Sequence, residues 1–248
     1  MFSDNTKFKD THNNEFNGAG LTLIHQDSDN NYSILYAKSN SNNVNKKNIW
    51  IFAGGKRNKD ETSIQTAYRE FVEEIFNVVV DNDIINEIIE IIKFRDDLFP
   101  ITSNISNNSP IPSYTYLQSS RAITIFVDIL KKYKIKSDVF PFGYEGLYNN
   151  KKEVNIFHFC NTRRYINEIA EFEKNELVFI TMIPLSNLLH SIDNKKSHLP
   201  NHIYHYHGEN LKIHVPSTIR YIDKFIRNLE KQYQVNTVIT NLNIFKLE

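Results

Sequence analysis

Three glutamates, Glu70, Glu73 and Glu74, crowd the short segment Arg69-Glu70-Phe71-Val72-Glu73-Glu74. Carboxylates three and four residues apart share one side of a helix, where like charges cost about 0.2–0.5 kcal/mol per pair. Two readings of that crowding are open. One is a solvated acidic face. The other is a site for a hard dication such as Mg2+, which turns the repulsion into coordination and takes carboxylate, water and phosphate oxygens together. The second implies a phosphate-rich substrate. Upstream lies an adjacent glycine pair, Gly54-Gly55, in a chain with only 7 glycines among 248 residues. Such a pair lets backbone approach a metal or phosphate closely.

The helix that must carry these groups is well marked. Thr62-Ser63-Ile64-Gln65 matches a capping box, and Ile64, Ala67, Tyr68, Phe71 and Ile75 recur as one apolar stripe. With Ile64 at zero and roughly 100° per residue, Glu73, Glu70 and Glu74 fall at roughly 180°, 240° and 280°, opposite the stripe. A helix from Thr62 to Phe76 is therefore expected. Before it, 20–24 and 32–36 read as strands of a hairpin turning at 27–31, and 48–52 as a third strand running into a Gly-Gly turn. After it come a helix over 82–93, with strand as its alternative, and a polar loop over 103–113. Strands are expected at 122–130, 154–159 and 177–182, and helices at 162–170, 185–192 and 216–232, the last opened by a proline. This order predicts an α+β or α/β/α domain. The expected organisation is a flexible arm over 1–17, a domain over 18–192 with an insertion after the first helix, and an extension over 193–248 packed on that domain.

Gly55, five residues, Glu61, seven residues and then Arg69-Glu70-Phe71-Val72-Glu73-Glu74 resembles the Nudix box. The preceding Trp50-Ile51-Phe52-Ala53-Gly54-Gly55-Lys56 resembles the strand and turn that lead into it. The resemblance covers mainly 18–78 and implies a Nudix-type α/β/α sandwich with a mixed sheet. Two positions depart from the pattern: Ala53 stands where the family has proline, and Phe76-Asn77 where it has a helix-ending glycine. The first should loosen the turn, and the second puts the helix exit in question. Neither removes a charged group.

The resemblance implies that Glu70 and Glu74 are metal ligands with Glu73 beside them, and that the Gly55 carbonyl is a further ligand. It also implies an Arg69–Glu61 pair that holds the loop on the helix. The implied reaction is Mg2+- or Mn2+-assisted attack of water on a pyrophosphate linked to another group, with a carboxylate taking the proton. That base is a box glutamate, Glu73 or Glu70, or one on a later loop, where Glu173 and Glu176 are the candidates. The expected partner is a phosphate-rich small molecule or capped RNA. Scarce glycine and proline beside abundant asparagine and isoleucine point to an A/T-rich source such as a protist or a large DNA virus. For a large DNA virus, hydrolysis of the mRNA cap pyrophosphate is the specific alternative. A catalytically silent ligand-binding module is the alternative of another class, although degenerate members lose box glutamates and this chain keeps them.

Lysine plus arginine equals aspartate plus glutamate, 29 each, and the pI is near 7.1, which argues against nucleic-acid binding through a wholly basic surface. The run Lys131 to Lys136 reads as a solvated strand end or loop. A single cysteine, Cys160, permits no internal disulfide and suits a reducing, cytoplasmic setting, and it lacks the partners of a nucleophile. The N-terminal segment lacks the apolar core of a signal peptide, and no run approaches the roughly 18–20 apolar residues of a membrane span. His198, His202, His205, His207 and His214 have some zinc-like spacings but no cysteine partners. A polar-aromatic loop or strand, or stacking on a substrate base, are the other readings. Trp50 is expected as a core anchor. A homodimer is among the expected assemblies.

Overall fold

The computed structural model describes residues 16–39, 50–95, 98, 102–105, 113–136, 147–149, 152–154, 169–172, 177–193, 205–206, 209–210, 219–228 and 231. Its framework is a mixed sheet of ten strands in the order β5-β6-β1-β2-β10-β9-β7-β8, with β3 paired to β2 and β4 to β1. Strands β1 (Gly18–Gln26) and β2 (Tyr32–Ser39) form the expected hairpin, with Ile24 opposite Ile34. Asp27 closes its turn by accepting from the N–H groups of Asp29 and Asn31, both at 2.9 Å, an Asx turn.

Where β1 and β2 splay apart, the chain from Trp50 to Lys56 wedges between them. Strand β3 (Trp50–Ile51) pairs with β2 and β4 (Ala53–Lys56) pairs with β1. The glycine pair is therefore part of a strand, and the expected Gly-Gly turn is corrected to a sheet pairing in which Gly54 faces Gly20. The other edge of β1 pairs in parallel with β6 (Ser113–Ser119), which pairs antiparallel with β5 (Thr102–Ile105). That edge corrects the polar loop expected from 103. Beyond β2 lie β10 (Leu177–Pro184), β9 (Ile169–Phe172), β7 (Leu147–Asn149) and β8 (Lys152–Val154). Residues 169–170 belong to β9 and not to a helix. A separate pair, β11 (His205–Tyr206) and β12 (Glu209–Asn210), makes a small hairpin.

Helices cover both faces. On one lie α1 (Ser63–Phe76), α2 (Asn82–Lys93) and α3 (Ile123–Lys132); on the other lie α4 (Leu185–Asp193) and α5 (219–228). The strands alternate accordingly: Leu35 and Ala37 join the α1 side, whereas Ile34 and Tyr36 join the α4 side. Burial on both faces is why 20–24 and 32–36 are apolar nearly throughout. Helix α5 sends Ile219, Ile222 and Ile226 into that second core, beside Ile24 and Ile34. At the other end Phe16, within the segment expected as a flexible arm, is buried against the ring of Tyr114, with 6.2 Å between centroids.

The segment 122–130 is a helix where a strand was expected. Its β-branched residues suit either state, but Ile123, Phe126, Val127 and Leu130 recur at helical spacing and pack under α1 and α2, and tertiary burial overrides propensity. Strand 154–159 is described only at Val154. The helix expected at 162–168, Cys160, Glu173, Glu176, His198, His202, His207 and His214 lie outside the described residues. Among the described residues, no helix is long and apolar enough to cross a membrane.

Candidate active site

Helix α1 lies across β1 and β4. Its start is fixed by the expected capping box: the Thr62 N–H donates to Gln65 Oε1 at 2.8 Å, and the Gln65 N–H returns to Thr62 Oγ1 at 3.3 Å. Ser63 Oγ and the buried Tyr116 hydroxyl, 2.6 Å apart, join the same turn to β6. At the far end Asn77 adopts the left-handed conformation, φ 51° and ψ 44°, and caps the helix where the family pattern has glycine. Asparagine is among the few side-chain-bearing residues that visit this region readily, so the exit questioned from the sequence is intact.

Arg69 is the hub of the site. Its Nε donates to Glu61 Oε1 at 2.7 Å, and Nη2 to Glu61 Oε2 at 3.1 Å and to the Lys56 carbonyl at 2.9 Å. Its Nη1 donates to Glu70 Oε1 and Glu73 Oε2, both at 2.8 Å. All five guanidinium donors are thereby used, which only arginine's planar fork allows. Glu61 is also held by the Asn58 N–H at 3.0 Å and the Thr66 hydroxyl at 2.8 Å. Burial pushes the Glu61 carboxyl up, but the hydrogen bonds from Arg69, Asn58 and Thr66 outweigh it and hold it below the ordinary carboxylate value. Burial alone would lower the Arg69 pKa, yet Glu61, Glu70 and Glu73 more than reverse it and keep the charge permanent.

The acidic side of α1 faces the glycine strand. Glu74, 7% exposed, accepts the Gly54 N–H through Oε2 at 2.9 Å. A Cβ on Gly55 would lie 2.5 Å from the Glu70 carboxyl carbon, and one on Gly54 2.5 Å from the Gly20 Cα. Neither glycine has a left-handed φ. Their selection is for space: the missing side chains let α1 and β1 close on β4. The Gly55 carbonyl oxygen lies against Gly18 of β1. Exposure rises outward, from 1% for the Glu61 side chain to 13% for Glu70 and 27% for Glu73.

The structure thus brings together Gly54, Gly55, Glu61, Arg69, Glu70, Glu73 and Glu74. Sequence reasoning missed Asn58, Thr66 and the Lys56 carbonyl. Thr66 was legible, since it shares a helix face with Arg69, Glu70 and Glu73 at spacings of three, four and seven. Four carboxylates against one guanidinium leave three formal negative charges uncompensated. Among the described residues no three His, Cys, Asp or Glu side chains converge as a ready-made metal site. The donor chemistry still fits a hard cation, being oxygen throughout.

No protein-family model matches the chain, and no curated protein is similar to it in sequence. Among solved structures it is similar to the Nudix hydrolase RenU from M. Smegmatis, at 15% identity and TM-score 0.28, over 42% of this chain and 60% of that one. It is similar to the NUDIX domain of Shewanella oneidensis NrtR, solved with ADP ribose, at 10% identity and TM-score 0.31, over 75% and 83% of the two chains. A NUDIX hydrolase from Alicyclobacillus acidocaldarius matches at 12% identity and TM-score 0.34, over 74% and 85%. The matched part spans less than two thirds of RenU. The chain is similar, distantly and over part of its length, to solved Nudix-fold proteins.

Proposed function

We propose that this chain is a Nudix-type hydrolase that cleaves the pyrophosphate bond of a nucleoside diphosphate linked to another moiety, with Mg2+ or Mn2+. The observation that carries the reading is the Arg69 hub, which fastens the 56–61 loop to α1 and aligns Glu70 and Glu73 beside a Glu74 anchored on Gly54. A structural helix with a solvated acidic face needs no such convergence. Glu70, Glu73 and Glu74 would hold the cation, with the Gly55 carbonyl as the backbone oxygen assigned with them. When bound, the cation supplies polarisation of phosphoryl oxygens and offsets charge on the leaving group.

The chain's own residues do the rest. Arg69 orients two carboxylates through one nitrogen, Nη1, which donates to Glu70 Oε1 and Glu73 Oε2. Glu73, the most exposed of the set, would take the proton of an attacking water, with Glu70, Glu173 and Glu176 as the alternative bases. The engagement of Glu70 and Glu73 by Arg69 favours a second reading, a ligand-binding module that performs no hydrolysis.

One experiment separates the two. The purified protein, with Mg2+ or Mn2+, is screened against nucleotide sugars, dinucleoside polyphosphates, dNTPs and capped RNA. Glu74→Gln keeps an acceptor for the Gly54 N–H but removes the charge, and Glu73→Gln removes the base. Each should lower turnover by about 100-fold or more. Turnover at the wild-type rate in both variants would overturn the site assignment. Metal binding without turnover of any substrate would favour the binding module.

A further inference from the structure

Glu61 is almost wholly enclosed, its side chain 1% exposed, and it accepts five hydrogen bonds. Oε1 takes Arg69 Nε at 2.7 Å and the Asn58 side-chain amide at 3.3 Å. Oε2 takes the Asn58 N–H at 3.0 Å, the Thr66 hydroxyl at 2.8 Å and Arg69 Nη2 at 3.1 Å. Three of the five therefore come from outside the Arg69–Glu61 pair, two from the loop and one from the helix. The helix donor is the unexpected one. Threonine is among the weaker helix formers, and inside a helix its hydroxyl often donates back to a carbonyl three or four residues earlier. Thr66 is fully buried in the first turns of α1. Its N–H meets the Thr62 carbonyl at 3.0 Å, but its hydroxyl turns instead to the Glu61 carboxylate.

A carboxylate can meet arginine on its Nε–Nη2 edge or on its Nη1–Nη2 edge, with paired hydrogen bonds in either case. Glu61 takes the first, and Nη1 is left with both hydrogens for Glu70 and Glu73, at 2.8 Å each. On the second edge Glu61 would claim one Nη1 hydrogen, and one of the two outer carboxylates would lose its donor. The guanidinium itself does not choose, because both edges suit a carboxylate. The choice falls to the donors that fix the plane of the Glu61 carboxylate. Asn58 belongs to the loop that Arg69 tethers through the Lys56 carbonyl. Thr66 stands on α1, the same rigid frame that carries Arg69, Glu70 and Glu73, and it pins Oε2 from there.

We infer that Thr66 is a positioning residue of the proposed hydrolase: its hydroxyl sets Glu61 on the Nε–Nη2 edge of Arg69, so that Nη1 aligns Glu70 and Glu73. The inference rests on the hydrolase reading for what those two glutamates do, and on hydrogen bonds alone for how they are aligned. The relay has three links, Thr66 to Glu61, Glu61 to Arg69, and Arg69 to the outer pair. Each is charge-assisted and therefore short and directional. The residue type matters at this position. Valine matches threonine in shape but offers Glu61 no donor, whereas serine keeps the donor and gives up a methyl group.

The test compares the full chain with its Thr66→Val and Thr66→Ser variants. The first readout needs neither metal nor substrate: exchange of the Arg69 Nε–H with water, followed on its assigned NMR resonance. In Thr66→Val this proton should exchange about tenfold faster or more, the scale of a lost hydrogen bond to a charged group, and in Thr66→Ser within about twofold of the wild-type rate. The second readout is Mn2+ affinity, read from the free-ion EPR signal. Thr66→Val should weaken it about tenfold, the low end for loss of an outer-shell partner, and Thr66→Ser should recover it. A packing role predicts the opposite order, because serine gives up a buried methyl group and valine does not. Thr66→Ala removes the same hydroxyl while raising helix propensity, and it replaces the valine variant if that one does not fold. Unchanged Nε–H exchange in Thr66→Val would overturn the proposal, as would exchange in Thr66→Ser as fast as in Thr66→Val. Equal Mn2+ affinity in Thr66→Val and a wild type that binds the ion would overturn it too. A wild type that binds no Mn2+ would overturn the metal reading instead, and the exchange rates then decide the role of Thr66.

Discussion

At the scale of the residue, one side chain organises the site. Arg69 is nearly buried and spends all five donors on Glu61, Glu70, Glu73 and the Lys56 carbonyl. Breaking a buried pair leaves an uncompensated charge, so Arg69→Gln should lower unfolding free energy by about 3–5 kcal/mol in urea denaturation. Removing both charges should recover most of it, and Arg69→Met with Glu61→Leu tests that. If the single and double variants are equally destabilised, the cost is packing and the ion pair is incidental. The types and spacing of these residues were legible from the sequence alone. What was not legible is that Arg69 also grips Glu70 and Glu73. Adjacent and i+4 neighbours can pair or point apart, and only the rotamers selected by packing against β4 decide.

At the scale of the element, the helix α1 works because both of its ends are closed locally. The capping box at Thr62 was readable as a pattern. The exit was readable only as an anomaly, and the structure resolves it through Asn77 at positive φ. A β-branched residue pays heavily in that region, so Asn77→Val should cost about 1–2 kcal/mol and Asn77→Gly should cost nothing measurable. Thermal melts of the two variants check this, and equal melting temperatures would refute the capping role. The glycine strand carries a parallel lesson. Gly54-Gly55 suggested a turn because glycine commonly supplies unusual dihedrals, whereas here both residues pair in a sheet and are glycine because Gly20 and Glu70 occupy the space of a side chain. Sequence identifies the residue; the neighbour that demands it lies far along the chain, at Gly20 for Gly54 and at Glu70 for Gly55.

At the scale of the molecule, the sheet carries helices on both sides, and the second layer depends on residues late in the chain. Ile222 is fully buried against Ile24, Ile34 and Ile183 territory on the α4 face. Ile222→Ala should therefore cost about 2–5 kcal/mol, measured by denaturant unfolding, and a cost below 1 kcal/mol would mean α5 is not part of the cooperative unit. Stability should also fall with acidity in two stages. His25 sits 3.1 Å from Ser120 Oγ, with its pKa lowered from 6.5 by burial, against the pull of Asp27 and with the help of Arg121. Because the unfolded chain then takes up the proton first, native stability declines as pH drops below about 6.5. Glu61 follows. Its stabilisation is complete above the ordinary value of 4.5 and is lost as pH falls through its depressed value. In Glu61→Gln the second decline should vanish while the first persists.

The sequence by itself determined the candidate groups and their carrier: hard oxygen donors at helical spacing, an arginine to pair with them, a capped helix and a leading strand. Those are local properties, set by residue type and by periodicities of a few positions. The tertiary structure decided which way the acids face. The helical wheel placed Glu70, Glu73 and Glu74 opposite the apolar stripe, the side a lone helix gives to water, and the sheet decided otherwise by laying β4 against it. It decided too that 123–132 is a helix and that 102–105 and 113–119 are strands. Each depends on a neighbour distant in sequence, and short-range patterns carry no information about which distant surface will arrive.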